Sequence, residues 1–177
     1  MGPGLLIASP QMRDPNFTGT VVLVCHHDEG GALGVVVNRV TNIRVRDLLV
    51  QLDMTTDQPD EQLVLWGGPV DQSTGFVVFR GGVEDESGWN LPDHVAVSPS
   101  RQLLMSLVDG DTPYQLCLGY AGWGPGQLDE EIQTGSWLYT EIDSGLLFEA
   151  DMGDRYDRAL ATLGLRPEQV WMLPIDE

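Results

Sequence analysis

YQLCLGYAGWGPGQLDEEIQTGSW, residues 114–137, is the stretch on which the fold of this chain turns. Leu116 to Tyr120 reads as a buried strand, the glycines at 119, 122, 124 and 126 as a turn, and the acidic run beyond as a short helix. Four glycines within eight residues, interleaved with Tyr120, Trp123 and Pro125, call for backbone shapes that a Cβ forbids. Strand, GxGxG and helix together outline a phosphate cradle, because free N–H groups at a helix start attract anions. Three details oppose that outline. The glycines do not make a full dinucleotide fingerprint, no lysine follows, and Asp129, Glu130 and Glu131 already complement the positive helix end. A structural turn is the expected reading, with Gly124 at N-cap, Pro125 at N1 and Gln127 folding back onto a free N–H. Leu128 and Ile132 then face the core.

The chain has 177 residues and reads as one domain, 1–177. Its formal net charge is −18, from 27 acidic and 9 basic residues. Every basic residue is an arginine, which excludes a Schiff-base lysine, a phosphate-loop lysine and a Ser-Lys nucleophile pair. The charge is uneven: residues 1–50 balance, and residues 51–177 carry the whole excess. Such a surface repels polyanions and argues against direct nucleic-acid binding. No apolar run reaches the ~18 residues that a membrane span needs. MGPGLLIASP lacks a basic lead-in and a long apolar segment, which argues against a signal peptide. Cys25 and Cys117 sit in strand-like runs, and free buried thiols fit a reducing cytoplasm.

From the N-terminus, Leu5 to Ala8 is a strand candidate and Asp14-Pro15-Asn16 a turn. Val21 to His26 and Leu33 to Asn38 form a hairpin around Asp28-Glu29-Gly30-Gly31. Thr41 or Asn42 is expected to cap a helix with Val45, Leu48, Leu49 and Leu52 on its apolar face. Residues 53–61 are a polar loop. Leu63 to Trp66 is a strand ended by Gly67-Gly68-Pro69, and Gly75 to Arg80 is expected to pair with it. Residues 81–93 read as a mobile loop. Val95 to Val97 leads to a helix capped by Ser98-Pro99, burying Leu103, Leu104, Leu107 and Val108. Trp137 to Ile142 and Leu146 to Phe148 read as strands, Asp154 to Leu163 as a last helix, and Val170 to Ile175 as an apolar tail. Hairpins early and irregular alternation later indicate an α+β fold.

Candidate chemistry is sparse. His26 and His27, neighbours on a strand, point to opposite faces and cannot share an ion. Cys25 and His27 share a face, with Cys117 or His94 conceivable as companions, yet no metal-binding spacing is present, and no metal or cofactor is expected. The expected role of His27 is a hydrogen bond to the hairpin turn. No GxSxG elbow occurs, and a Cys-His pair from Cys25, Cys117, His27 and His94 is not indicated by spacing. No catalytic residue is assigned. Asn38-Arg39 offers an anion-binding pair, against which stands an ion pair of Arg39 with an acid such as Asp14.

DPNF with TVVLVCHHDEGGALGVVVNR (14–39), GGPV (67–70) and LGYAGWGPGQLDEEI (118–132) resemble the YqgE/AlgH family in order and spacing. The resemblance implies a bacterial cytosolic α+β protein with a flattened, barrel-like antiparallel sheet and flanking helices. It implies no established reaction. The family usually has arginine where Gly19 stands and Arg-Pro where Arg39-Val40 stands, and the missing arginine weakens an anion-binding arginine pair.

Three functions remain open on these residues. The favoured one is a non-enzymatic binding or regulatory protein, recognising an unknown protein or small-molecule partner through Asn38, Arg39, Gly68, Tyr120, Trp123 and Gln127. The second is a transcriptional regulator linked to exopolysaccharide (alginate) production, as labels within the family imply. The third is an enzyme of unknown reaction with a cleft near the glycine-rich turn.

Overall fold

The hairpin expected around residues 28–31 forms, with β2 (Val21–Asp28) antiparallel to β3 (Gly31–Val36). Asp28 Oδ1 accepts from the Gly30 N–H at 2.8 Å and tightens the turn. The computed structural model of the chain describes residues 2–54, 62–84 and 88–165, on which β1 (Leu5–Ala8) pairs the free edge of β2 and β10 (Trp137–Thr140) pairs β1. On the other side β9 (Tyr114–Trp123) joins β3, followed by β6 (Val70–Arg80), β8 (Val95–Ser98) and β7 (Trp89–Leu91). The order is β10-β1-β2-β3-β9-β6-β8-β7. β5 (Leu63–Trp66) runs parallel to β9, and β4 (Val40–Arg44) pairs β5. The helices are α1 (Val45–Gln51), α2 (Arg101–Val108), α3 (Gln127–Gln133), α4 (Ser144–Phe148) and α5 (Arg155–Ala161). The fold is α+β with a mostly antiparallel sheet, and the sheet stays open because β10 and β7 do not pair with each other.

Strand alternation sorts the core. Leu5, Ile7, Val21 and Leu23 point into a cluster shared with Phe76, Val78, Val95 and Val97, so both halves of the sheet enclose one core. Leu146 and Leu147 of α4 and Ala159 and Leu160 of α5 complete it. Leu6, Ala8, Val22 and Val24 point the other way, toward Leu128 of α3. A third cluster, under α1 and α2, takes Val45, Leu49, Leu104 and Leu107 together with Val77 and Phe79.

Two bulges break the alternation. On β2 the register slips between Val24 and His26, leaving Cys25 as the extra residue. His27 consequently lies opposite Ala32, on the α3 side, whereas Cys25 points inward. The expectation that Cys25 and His27 share a face therefore fails. On β9, Leu116 and Leu118 face the α1–α2 side, but Ala121 and Trp123 face the α3 side, and Cys117 and Tyr120 both face inward. Gly119, at φ +83°, makes that step.

The same glycine sits at a crossing of four strands. The Gly67 N–H donates to the Leu118 carbonyl at 2.7 Å, and its own carbonyl accepts from Val36 at 2.8 Å. A Cβ on Gly68 would stand 2.1 Å from the carbonyl carbon of Tyr120, and one on Gly119 would stand 2.4 Å from the Gly68 oxygen. No side chain fits between these backbones.

Several local expectations are corrected. The strand at the glycine-rich stretch continues to Trp123, so only the glycines at 124 and 126 belong to the turn. Residues 40–44 extend along β5 instead of capping α1, whose N-cap is Arg44 without a side-chain bond. The strand at 75–80 pairs β8 and β9 and not β5. Within the expected 81–93 loop, Trp89–Leu91 is a strand turning back through Asp93 and His94, both at positive φ. Asp and His tolerate that conformation, so no glycine marked it. Residues 146–148 are helical: the Asp143 side chain accepts from the Gly145 N–H at 2.9 Å and starts a turn. α2 is capped by Ser100, whose hydroxyl accepts from the Leu103 N–H, and not by Ser98. Most of the 53–61 loop and the 170–175 tail lie outside the described residues.

Gly68→Ala is expected to destabilise the chain by about 3 kcal/mol, at the upper end of overpacking costs. Gly126→Ala, at φ +75° with nothing within 4 Å of the added Cβ, costs about 1 kcal/mol. Urea unfolding midpoints of the two variants check the difference, and equal shifts would refute the crossing as a steric constraint.

Candidate functional site

Residues 12–20 form a looped turn held at both ends. Asp14 Oδ1 accepts from the Asn16 N–H at 2.9 Å, and the Thr18 hydroxyl donates to the Met12 and Asp14 carbonyls at 3.1 and 3.0 Å. Asn38, just past β3, clamps the loop: its Oδ1 accepts from the Val21 N–H at 2.8 Å and its Nδ2 donates to the Gly19 carbonyl at 2.9 Å. Arg39 donates to the Asn16 carbonyl at 2.8 Å and the Thr18 carbonyl at 2.9 Å, and lies over the Trp66 ring at 5.0 Å. The expected ion pair with Asp14 is replaced by these carbonyl bonds and the aromatic face.

The loop delivers Phe17 onto two tryptophans. Its ring stacks on Trp123 at 6.3 Å and meets Trp137 edge-on at 5.4 Å, while the two indoles cross at 6.0 Å. Beneath them, Glu131 Oε1 accepts from both indole N–H groups, 3.1 Å from Trp123 and 3.0 Å from Trp137. Its Oε2 accepts from Gln127 Nε2 at 2.8 Å, and Gln127 Oε1 accepts from the Gly124 N–H at 3.0 Å. Gln127 thus folds back as expected, but the helix starts two residues later, with Gly126 at N-cap in the left-handed region. Trp66 packs in the same cluster.

The six surface residues expected from sequence therefore divide. Asn38, Arg39, Trp123 and Gln127 surround this aromatic face. Gly68 is buried at the strand crossing, and Tyr120 points into the inner core, edge-on to Phe76 at 6.0 Å. Phe17, Trp66, Glu131 and Trp137 were missed as members. The i, i+4 spacing of Gln127 and Glu131 was a legible signal for one of them.

The alternative chemistry is dispersed. Burial pushes the Cys117 thiol up to about 12, with nearby Arg155 opposing the rise. Burial and the neighbouring Cys117 push Cys25 up as well. Both thiols stay protonated at neutral pH and are poor nucleophiles. His26 meets Asp28 at 2.8 Å, on the outside of the hairpin, and His27 meets Asp129 of α3 at 3.4 Å. His94 sits in the exposed β7–β8 turn. Among the described residues no group of three or more His, Cys, Asp or Glu side chains could hold a metal ion.

Sequence reading also overlooked Arg155, which is only 3% exposed. It donates to the Val37 carbonyl at 2.7 Å and to Gln115 Oε1 at 3.0 Å, while Gln115 Nε2 reaches the Leu147 carbonyl. Burial lowers its pKa from the ordinary arginine value. The group ties α5, β3 and β9 together across the core.

The AlgH-like family model matches residues 5–168. The chain belongs to the AlgH-like family. It is 41% identical over 170 residues to a UPF0301 protein of Paracoccus denitrificans, covering 92% of this chain and 90% of that one. A UPF0301 protein of Photobacterium profundum is 39% identical over 170 residues, covering 92% and 91%. The solution structure of AlgH from Pseudomonas aeruginosa superposes with a TM-score of 0.77 at 32% identity, covering 99% of this chain and 95% of that one. A Corynebacterium diphtheriae protein shares the fold at 22% identity and TM-score 0.72, covering 92% of this chain and 87% of its own. Within this AlgH-like chain the DPNF, NR and GWGPGQLDEE segments converge on the aromatic face. No helix among its described residues is long and apolar enough to cross a membrane.

Glu131→Ala leaves the two indole donors without an acceptor, and a loss of about 2–4 kcal/mol is expected from these two orphaned groups. Indole N–H resonances of Trp123 and Trp137 shift together in the variant. Independent movement of the two would break the shared-acceptor account. For the cysteines, a thiol-specific reagent at pH 8 is expected to label neither in the native chain and both in urea; rapid native labelling would contradict their burial.

Proposed function

We propose that this chain is a non-enzymatic binding or regulatory protein that recognises a protein partner on the face formed by Phe17, Arg39, Trp66 and Gln127. The single observation that carries the reading is that the polar groups of this face are already bonded within the fold, while the Phe17 and Trp66 rings stay partly exposed beside the buried Trp123 and Trp137. Arg39, Gln127 and Glu131 hold their neighbours in place. A platform ordered before contact loses little conformational entropy on binding. Tryptophan and arginine are the residue types that dominate interface energetics. Val40, next in the chain to Arg39, is 45% exposed.

The enzyme reading draws less support, since the thiols are buried and protonated and the histidines face acids on separate elements. A transcriptional regulator linked to alginate production would need a basic surface. Of the nine arginines, Arg39 and Arg101 are engaged with carbonyls, Arg80 with Glu149 at 3.0 Å and Arg155 in the core.

A photo-crosslinking amino acid placed in living cells at Val40 or Gln127 tests the proposal, with the exposed Met105 on α2 as control. A discrete adduct at the first two positions, lost with Arg39→Ala and Trp66→Ala in a chain of unchanged melting temperature, is the expected result. Adducts indistinguishable from those at Met105, or none, would sink it.

A further inference from the structure

We infer that the cavity between α1, α2 and the β6–β9 pair is a binding site for a small straight-chain monocarboxylate. Its volume is about 180 Å³. Leu48 of α1, Leu52 just past its end, Leu104 of α2, and Phe76, Leu116 and Leu118 of the sheet supply apolar walls. The space opens to solvent on one side and is a surface pocket, with its apolar walls on the inner side. Voids lined by leucine and phenylalanine favour apolar guests over water. At ~30 Å³ for each water-sized group, the space takes about six methylene-sized groups.

The mouth gives the guest its polar end. Ser73, Ser100 and Arg101 border the opening, and among the described residues no Asp or Glu lines the cavity, Asp71 standing behind Ser73 and accepting from its hydroxyl at 2.7 Å. In a chain of net charge −18, a cavity whose described lining carries one guanidinium and no carboxylate departs from the prevailing sign. Arg101 is exposed and spends one nitrogen, Nη2, on the Leu52 carbonyl. Among the described residues no carboxylate pairs with it, and its Nη1 and Nε remain available. Guanidinium and carboxylate match in geometry, and their charge-assisted bonds are among the stronger ones in proteins. The Leu52 bond anchors the arginine to the end of α1, so the head group and the leucine walls have a fixed separation. A short fatty carboxylate satisfies both ends, tail among the leucines and head against Arg101.

The site lies under α1 and α2, whereas the proposed partner face belongs to the cluster beneath α3. The two proposals stand or fall separately.

Calorimetric titration of the full chain with hexanoate, hexan-1-ol and hexylamine tests the inference. Hexanoate is expected to bind saturably, hexan-1-ol at least roughly tenfold more weakly, and hexylamine not measurably. Arg101→Gln, at an exposed position, should bring hexanoate to the level of the alcohol. Leu48→Trp should fill the space and abolish both; if it fails to fold, Ser73→Tyr closes the mouth from an exposed position. Butyrate and decanoate should bind more weakly than hexanoate. No saturable binding by any probe would overturn the site. Equal binding of acid and alcohol, or an Arg101→Gln chain that binds hexanoate as the parent does, would overturn the carboxylate assignment.

Discussion

The close passage of Gly67-Gly68 against Gly119 and Tyr120 is the constraint on which the architecture depends. Backbones approach there to distances at which a single Cβ would collide with carbonyl atoms. That contact lets β5 and β3 meet end to end, both along one edge of β9. The turn of Gly119 also reverses which side of β9 faces inward. One strand can then serve two outer clusters, presenting leucines to α1 and α2 and then Ala121 and Trp123 to α3. Without the reversal Trp123 would leave the outer face, and the aromatic group around Phe17 would have no floor.

The aromatic face is a consequence of that geometry and of a few long-range clamps. Asn38 and Arg39 act on backbone carbonyls roughly twenty residues earlier, so the loop carrying Phe17 is positioned by β3 and not by its own sequence. Glu131 performs a similar service for the indoles, accepting from two rings on different strands. In a chain this acidic, a carboxylate that accepts three side-chain donors is set apart from the solvated ones. The arginines show a parallel economy: Arg39, Arg80 and Arg155 serve the interior or the fold's seams rather than forming a cationic surface. That distribution, more than the net charge, shapes which partners the surface suits.

The strands near the hairpin, the terminal helix and the α+β class were legible because local signals and long-range packing agreed there. Val21 to Asp28 is apolar, β-branched and followed by a glycine turn, and nothing competes with the strand. Leu146 to Phe148 was illegible for the opposite reason: three apolar residues suit a strand or a helix, and Asp143 decided. Residues 40–44 look like a polar lead-in to a helix, yet β5 supplies an edge for them to pair with. The β7 strand was hidden because its turn uses Asp93 and His94 at positive φ in place of glycine.

Sequence alone determined that Gly119 takes a backbone shape a Cβ forbids, that Gln127 turns back on Gly124, and that Asp129 and Glu130 load the helix start with negative charge. These follow from backbone sterics and local charge, which act over a few residues. Tertiary structure alone decided that Gly119 inverts a strand, that Cys25 bulges away from His27, and that Phe17, Trp123 and Trp137 meet over one carboxylate. Each of those depends on which strand lies beside which. Partner strands here come from segments about 130 residues apart, as where Ala8 meets Trp137, and no local pattern encodes their register.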